Sequence, residues 1–121
     1  MSRTGAGPAV SIKRAYEPPE PGDGTRVLVD RLWPRGVKKV DAGISQWMKD
    51  IAPSDELRKW FGHQPERWEE FRRRYRAELA GKSELIAQLR ELTRHGPLTL
   101  VYGARDAVHN QAVVLRETLL H

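Results

Sequence analysis

The sequence predicts an α/β fold: a single compact domain with a small, largely parallel sheet flanked by helices. Three observations carry this. Val27-Leu28-Val29 and Leu98-Thr99-Leu100-Val101-Tyr102 are short apolar runs, the second bounded by Gly96-Pro97 and Gly103. Such runs suit strands covered on both faces. Between them Trp68, Phe71, Tyr75 and Leu79 recur at helical spacing, so strand, helix and strand alternate, as in sheets built with crossover helices. At 121 residues the chain has the length of one domain with one sizeable core.

Each element has a local reason. Residues 1–8 read as a flexible tail, and residues 9–121 as the domain. Ala9 to Arg14 alternates weakly and is the first strand. Glu17-Pro18-Pro19-Glu20-Pro21-Gly22-Asp23-Gly24 is a stiff loop with no helix in it. Arg26 to Leu32 forms the second strand. Between Val37 and Pro53 the pattern is ambiguous, and Trp47, Met48 and Ile51 fit one face of a short helix. Ser54 is a good N-cap, followed by Asp55 and Glu56 where the helix dipole favours acids. That helix ends near Phe61, with Gly62 beyond it. Pro65 opens the next helix, which runs to about Leu79 and stops before Gly81. Ser83 caps a third, with Leu85, Ile86, Leu89 and Leu92 inward, and Gly96-Pro97 ends it. Leu98 to Tyr102 is a strand, and Asn110 to Leu120 a last helix packed on the sheet.

Composition narrows the functional classes. With no cysteine, disulfides, thiolate nucleophiles and Cys-ligated metal centres are excluded. No apolar run approaches the length of a membrane span. The first eight residues contain no apolar signal core, so the expected location is cytoplasmic. A net charge of +5 and a pI near 9.9 favour anionic partners.

The residues with chemical potential gather where strands end. Asp30-Arg31-Leu32-Trp33-Pro34-Arg35-Gly36 follows Val27-Leu28-Val29, and Gly103-Ala104-Arg105-Asp106 leads from the last strand toward His109-Asn110. Ligands of open α/β sheets bind beyond the carboxyl ends of the strands. Guanidinium forks grip phosphate-like anions there. If the two strands are parallel neighbours, both clusters share one edge. The structural alternative is that Asp106 or Asn110 caps the last helix while Arg105 pairs with Asp30. His63 and His109 carry the imidazole that most often serves as general acid or base, whereas His95 at a helix end and the terminal His121 do not mark a site. No phosphate-binding Gly-Lys-Ser/Thr loop, no Gly-x-Ser-x-Gly elbow and no paired-histidine spacing occurs, so neither cofactor nor metal is expected. Arg67, Arg72, Arg73, Arg74 and Arg76 lie on the helix of Trp68, Phe71 and Tyr75. Glu69 and Glu70, four residues before Arg73 and Arg74, mark that face as an ordinary solvated one.

Four segments together resemble one known family: Val27 through Gly36, Trp47-Met48-Lys49-Asp50-Ile51-Ala52-Pro53-Ser54, Leu57-Arg58-Lys59-Trp60-Phe61-Gly62-His63, and Val101 through Asp106 with His109-Asn110. The chain is similar to the YeaO-like branch of domain-of-unknown-function family 488 from residue 10 onward. The resemblance implies a compact α/β domain in bacteria and no established reaction, cofactor or substrate. Other branches tend to carry a Cys-His-Arg sequence near the last strand exit. Here that region reads His109-Asn110, so no thiol chemistry carries over. The family's signature positions map onto Asp30, Arg31, Trp33, Arg35, Trp60, His63, Arg105, Asp106, His109 and Asn110.

The functional expectation is binding of a small anionic, phosphate-like ligand between the two strand exits. Arg31, Arg35 and Arg105 hold the anion, with Trp33, Trp60, Asp106 and Asn110 around it. Asp30 orients an arginine or acts as a base, and His63 or His109 handles a proton if a group is hydrolysed or transferred. The rival from another class is a nucleic-acid or regulatory binding protein that uses the Arg72-Arg73-Arg74 face. A protein-interaction domain without a ligand is a third possibility.

Overall fold

A computed structural model of the chain describes residues 9–121. The expected tail, residues 1–8, lies outside the described residues. Four strands form one sheet: β1 (Val10–Arg14), β2 (Thr25–Leu28), β3 (Gln46–Trp47) and β4 (Leu98–Tyr102). Their order across the sheet is β1-β4-β2-β3, and every pairing is parallel. The predicted α/β class with a small parallel sheet therefore holds. β4 lies in the middle with all five of its residues buried, which explains its continuous apolar run.

The helices are α1 (Lys39–Ala42), α2 (Asp55–Phe61), α3 (Trp68–Ala80), α4 (Ser83–Thr93) and α5 (Gln111–Leu120). Ser54 caps α2 as expected, its Oγ accepting from Leu57 N, and Gly62 closes α2 in the left-handed region at φ 53°. On α3, Phe71, Tyr75 and Leu79 are spaced by four and buried. Burying each of these side chains contributes roughly 1.5–3 kcal/mol. Phe61 stacks on Phe71 at 4.4 Å between ring centroids, which joins α2 to α3. The buried Tyr75 hydroxyl donates to Ile51 O at 2.6 Å, so the polar atom at the core centre is satisfied.

The strands alternate between two apolar layers. Val27, Val29, Leu98, Leu100 and Tyr102 face the main core with the helices. Leu28 and Val101 face the other way, with Ala15, Trp33, Val37, Ile44 and Trp47. Period-two alternation of β side chains produces this division. At the other end of the sheet Asp23 joins Lys13 at 3.1 Å and Arg26 at 2.7 Å, and the buried Arg26 also donates to Ala42 O.

Several local expectations are corrected. The second strand ends at Leu28, not Leu32. Val29 N still bonds Val101 O, and the chain then leaves the sheet at Asp30. The proline-rich loop contains one 3-10 turn, Pro21–Asp23, with Pro21 at its start. Trp47, Met48 and Ile51 form no helical face: Gln46–Trp47 pairs with β2, and a 3-10 turn covers Lys49–Ile51. A two-residue edge strand is too short to show a period of two. Pro65 opens a 3-10 turn, Pro65–Arg67, that leads into α3. Ser83 is the first residue of α4, and its side chain caps nothing.

Candidate functional site

The register of β2 against β4 brings both strand exits together. Parallel pairing of Leu28 with Val101 places Asp30 beside Gly103, whose N–H donates to Asp30 Oδ2 at 2.9 Å. The Gln111 side-chain amide, from the first turn of α5, donates to Asp30 Oδ1. Gly103 leaves room for this contact: a Cβ would stand 2.8 Å from Asp30 Oδ2 and 3.4 Å from Pro34, and would push the carboxylate aside. The closeness that a glycine permits is thus to the Asp30 carboxylate.

Around this contact opens a cleft of about 400 Å³. Asp30, Arg31, Trp33 and Arg35 line it from the β2 exit; Gly103, His109, Asn110 and Gln111 from the β4 exit; and Arg58, Lys59, Phe61 and His63 from α2 and its end. Asp30 forms no ion pair with any described residue, and burial pushes its carboxyl up to about 6 against the two hydrogen bonds it accepts.

Arg31 lines the cleft, but its Nε and Nη2 donate to Pro53 O and Ala52 O, both at 3.3 Å. Lys82 reaches the same Ala52 carbonyl at 2.9 Å, and burial pulls its ammonium down. Arg31 Nη1 has no bond to a described residue. Trp33 Nε1 donates to Val37 O at 2.6 Å, and its ring meets Trp47 edge-on at 5.5 Å. Arg35 is exposed, and only its backbone carbonyl is engaged, by the Tyr16 hydroxyl at 2.8 Å. Its guanidinium pairs with no carboxylate among the described residues.

The two histidines differ. His63 follows Gly62 with φ 58°, the one non-glycine residue at positive φ among the described residues. Such a conformation costs roughly 1–2 kcal/mol, and its occurrence beside a cleft fits a functional position. His109 Nδ1 lies 2.8 Å from Asp106 Oδ2, while Asp106 Oδ1 accepts from Val108 N and His109 N. The hydrogen bond from His109 and those from the two backbone amides hold the Asp106 carboxyl down at about 2. A carboxylate on Nδ1 orients the ring and leaves Nε2 available.

Three expected site residues lie outside the cleft lining. Trp60 is stacked by the guanidiniums of Arg67 and Arg74 at 5.2 and 4.4 Å. Arg105 is exposed on the loop after β4. Asp106 acts behind His109. Asp30 orients no arginine, and the alternative Arg105–Asp30 pair does not form. Asn110 does cap α5, accepting from Val113 N at 3.2 Å and donating to Asp106 O at 2.8 Å, and it also lines the cleft. Sequence reasoning passed over Arg58, Lys59, Tyr16 and Gln111. The first two stand one turn before His63, and Gln111 directly follows Asn110.

The arginine face of α3 is neutralised. Arg72 pairs with Glu69 and Glu117, Arg73 and Arg74 with Glu70, and Arg76 with Glu117. Arg73 and then Arg74 pull the Glu70 carboxyl down to about 2. Trp68 is half-buried and Phe71 and Tyr75 fully buried. Among the described residues no helix is long and apolar enough to cross a membrane, and no three His, Asp or Glu side chains are placed to hold a metal ion.

A parallel four-stranded sheet with helices on its main face and a polar cleft at its carboxyl edge defines a small single-domain α/β protein. The chain belongs to the inactive DUF488-N3 subclade, whose profile matches residues 9–121. Over 110 residues it is 47% identical to the uncharacterized protein Rv3073c of Mycobacterium tuberculosis, covering 91% of this chain and 92% of that protein. It is 44% identical to the uncharacterized protein YeaO of Escherichia coli, covering 91% and 96%. No solved structure matches.

Proposed function

We propose that the cleft binds a small anionic, phosphate-like ligand between the two strand exits. One observation supports this above the others. Arg35 and Lys59 line the cleft without a carboxylate partner among the described residues, while the arginines of α3 are paired with glutamates. Arg58 lines it too, in an exposed pair with Asp55 at 3.2 Å, and such a pair yields readily to a stronger anion. Arg31 supplies positive charge from the wall. Arg105 is left out of the binding set, and Trp33 acts as wall.

The Asp106–His109 pair favours a second reading, in which His109 Nε2 takes or gives a proton during hydrolysis or group transfer. The subclade's description as inactive weighs toward binding without turnover. The neutralised face of α3 weighs against the nucleic-acid alternative.

The test is thermal. An anion that binds only the folded chain stabilises it by about 1.4 kcal/mol at ten times its Kd, a rise of several degrees in Tm. Phosphate should produce that rise in the wild type. Arg35→Ala should remove it and leave the ligand-free Tm within about a degree, because an exposed, unpaired side chain contributes little to stability. A wild type that does not respond to phosphate, or an Arg35→Ala chain destabilised without ligand, overturns the reading.

A further inference from the structure

The cleft is cationic at its rim and carries one acid in its wall. Asp30 needs a reason, because a carboxylate there repels the very anion that Arg35 and Lys59 attract. Its partners are neutral: the Gly103 N–H and the Gln111 amide. Each bonds one oxygen, and each carboxylate oxygen accepts about two hydrogen bonds. Both oxygens therefore keep an accepting position, and among the described residues no further donor fills either one. Asp30 lines the cleft, so those positions are available to a ligand. A glycine at 103 is also needed for the carboxylate to stand where it does.

A structural role alone would tie the two strand exits and α5 together through Asp30. An asparagine could keep that role, its Oδ1 accepting from the Gly103 N–H and its Nδ2 donating to the Gln111 amide oxygen, so the role does not by itself call for a charge. That role accounts for two accepting positions and leaves the rest unused. Near neutral pH inorganic phosphate offers an ionised carboxylate only its P–OH, and the dianionic phosphate of an ester offers it nothing to bond. A ligand with hydrogen-bond donors at one end and an anion at the other would engage both halves of the site. Between them the wall is partly apolar, with Trp33, Pro34 and Phe61, which suits a carbon skeleton joining the two ends.

Resting on the anion-site reading above, we infer that the ligand is a phosphate ester whose other end carries a hydroxyl or amino group that donates to Asp30. Inorganic phosphate then occupies only the rim.

The experiment measures Kd by calorimetry at pH 7.5 for three sets of probes. These are inorganic phosphate, alkyl phosphates of two to six carbons, and the ω-hydroxy- and ω-aminoalkyl phosphates of the same lengths. In the wild type, at least one donor-bearing ester should bind ten times or more tighter than its alkyl counterpart. In Asp30→Asn that preference should fall to within threefold, while inorganic phosphate keeps its affinity. Should Asp30→Asn fail to fold, the wild-type series alone decides. Phosphate and alkyl phosphates binding as tightly as the donor-bearing esters would overturn this inference and leave the anion site standing. No binding by any probe would overturn both. A preference for amines alone, retained in Asp30→Asn, would assign the effect to another acceptor and also overturn it.

Discussion

At the residue scale Asp30 sets a pH dependence. Folding raises its pKa from 3.8 to about 6 through burial. Between those values the folded protein holds a proton that the unfolded chain has released. The stability from this group is therefore complete below about pH 4 and is lost as the pH rises through 6, on the order of 2–3 kcal/mol in all. Asp106 works in the opposite sense and lower. Its pKa is held at about 2, so its contribution is present above about pH 4 and is lost as the pH falls toward 2. Urea denaturation of wild type and Asp30→Asn from pH 4 to 7 checks the first effect. The wild type should lose stability relative to the variant over that range, and a flat difference would show that Asp30 titrates normally. The histidines are common to both chains and cancel in the difference.

At the element scale, the start of α2 is held by two residues far apart in sequence. Ser54 Oγ accepts from Leu57 N at 3.1 Å and donates to Glu78 Oε2 at 2.6 Å, while Ser54 N donates to Glu78 Oε1 at 2.8 Å. Glu78 therefore locks α3 to the cap of α2, and α2 carries Arg58, Lys59 and the turn to His63. Ser54→Ala removes the cap and one of Glu78's two donors, and should cost about 1–3 kcal/mol. The double variant with Glu78→Ala should cost less than the sum of the singles, because both act on one network. Additive losses in urea titrations would mean that the cap and the cross-helix bond are independent. The cap itself is legible in the sequence as Ser-Asp-Glu. Its partner on α3 is not, since nothing local distinguishes Glu78 from the other acids of that helix.

At the scale of the whole molecule, β4 is the last strand in sequence and stands in the middle of the sheet, between β1 and β2. Val10 pairs with Leu98 and Thr25 pairs with Leu98, so the two ends of the domain must meet before the sheet exists. A chain ending at Pro97 should show no cooperative thermal transition, by circular dichroism, even though α2, α3 and α4 are intact; a sharp transition would mean that the helices form a core without the central strand. The sequence by itself determined the fold class, the helices α2 to α5 and the two apolar strands, because each follows from hydrophobic period, caps and glycine stops that act within a few residues. It also determined that polar residues gather at the ends of both apolar strands, although it ran the second strand on to Leu32 and so placed Asp30 within it rather than after it. Only the tertiary structure decided that β2 and β4 are neighbours, and this brings Asp30 to Gly103 and Gln111. It also turned Arg31 toward the Ala52 and Pro53 carbonyls, left Arg105 and Trp60 outside the cleft, and brought in Arg58 and Lys59. A side chain's partner is set by which backbone groups lie within about 3 Å of it, and strand order and helix packing, not neighbours in sequence, fix those distances.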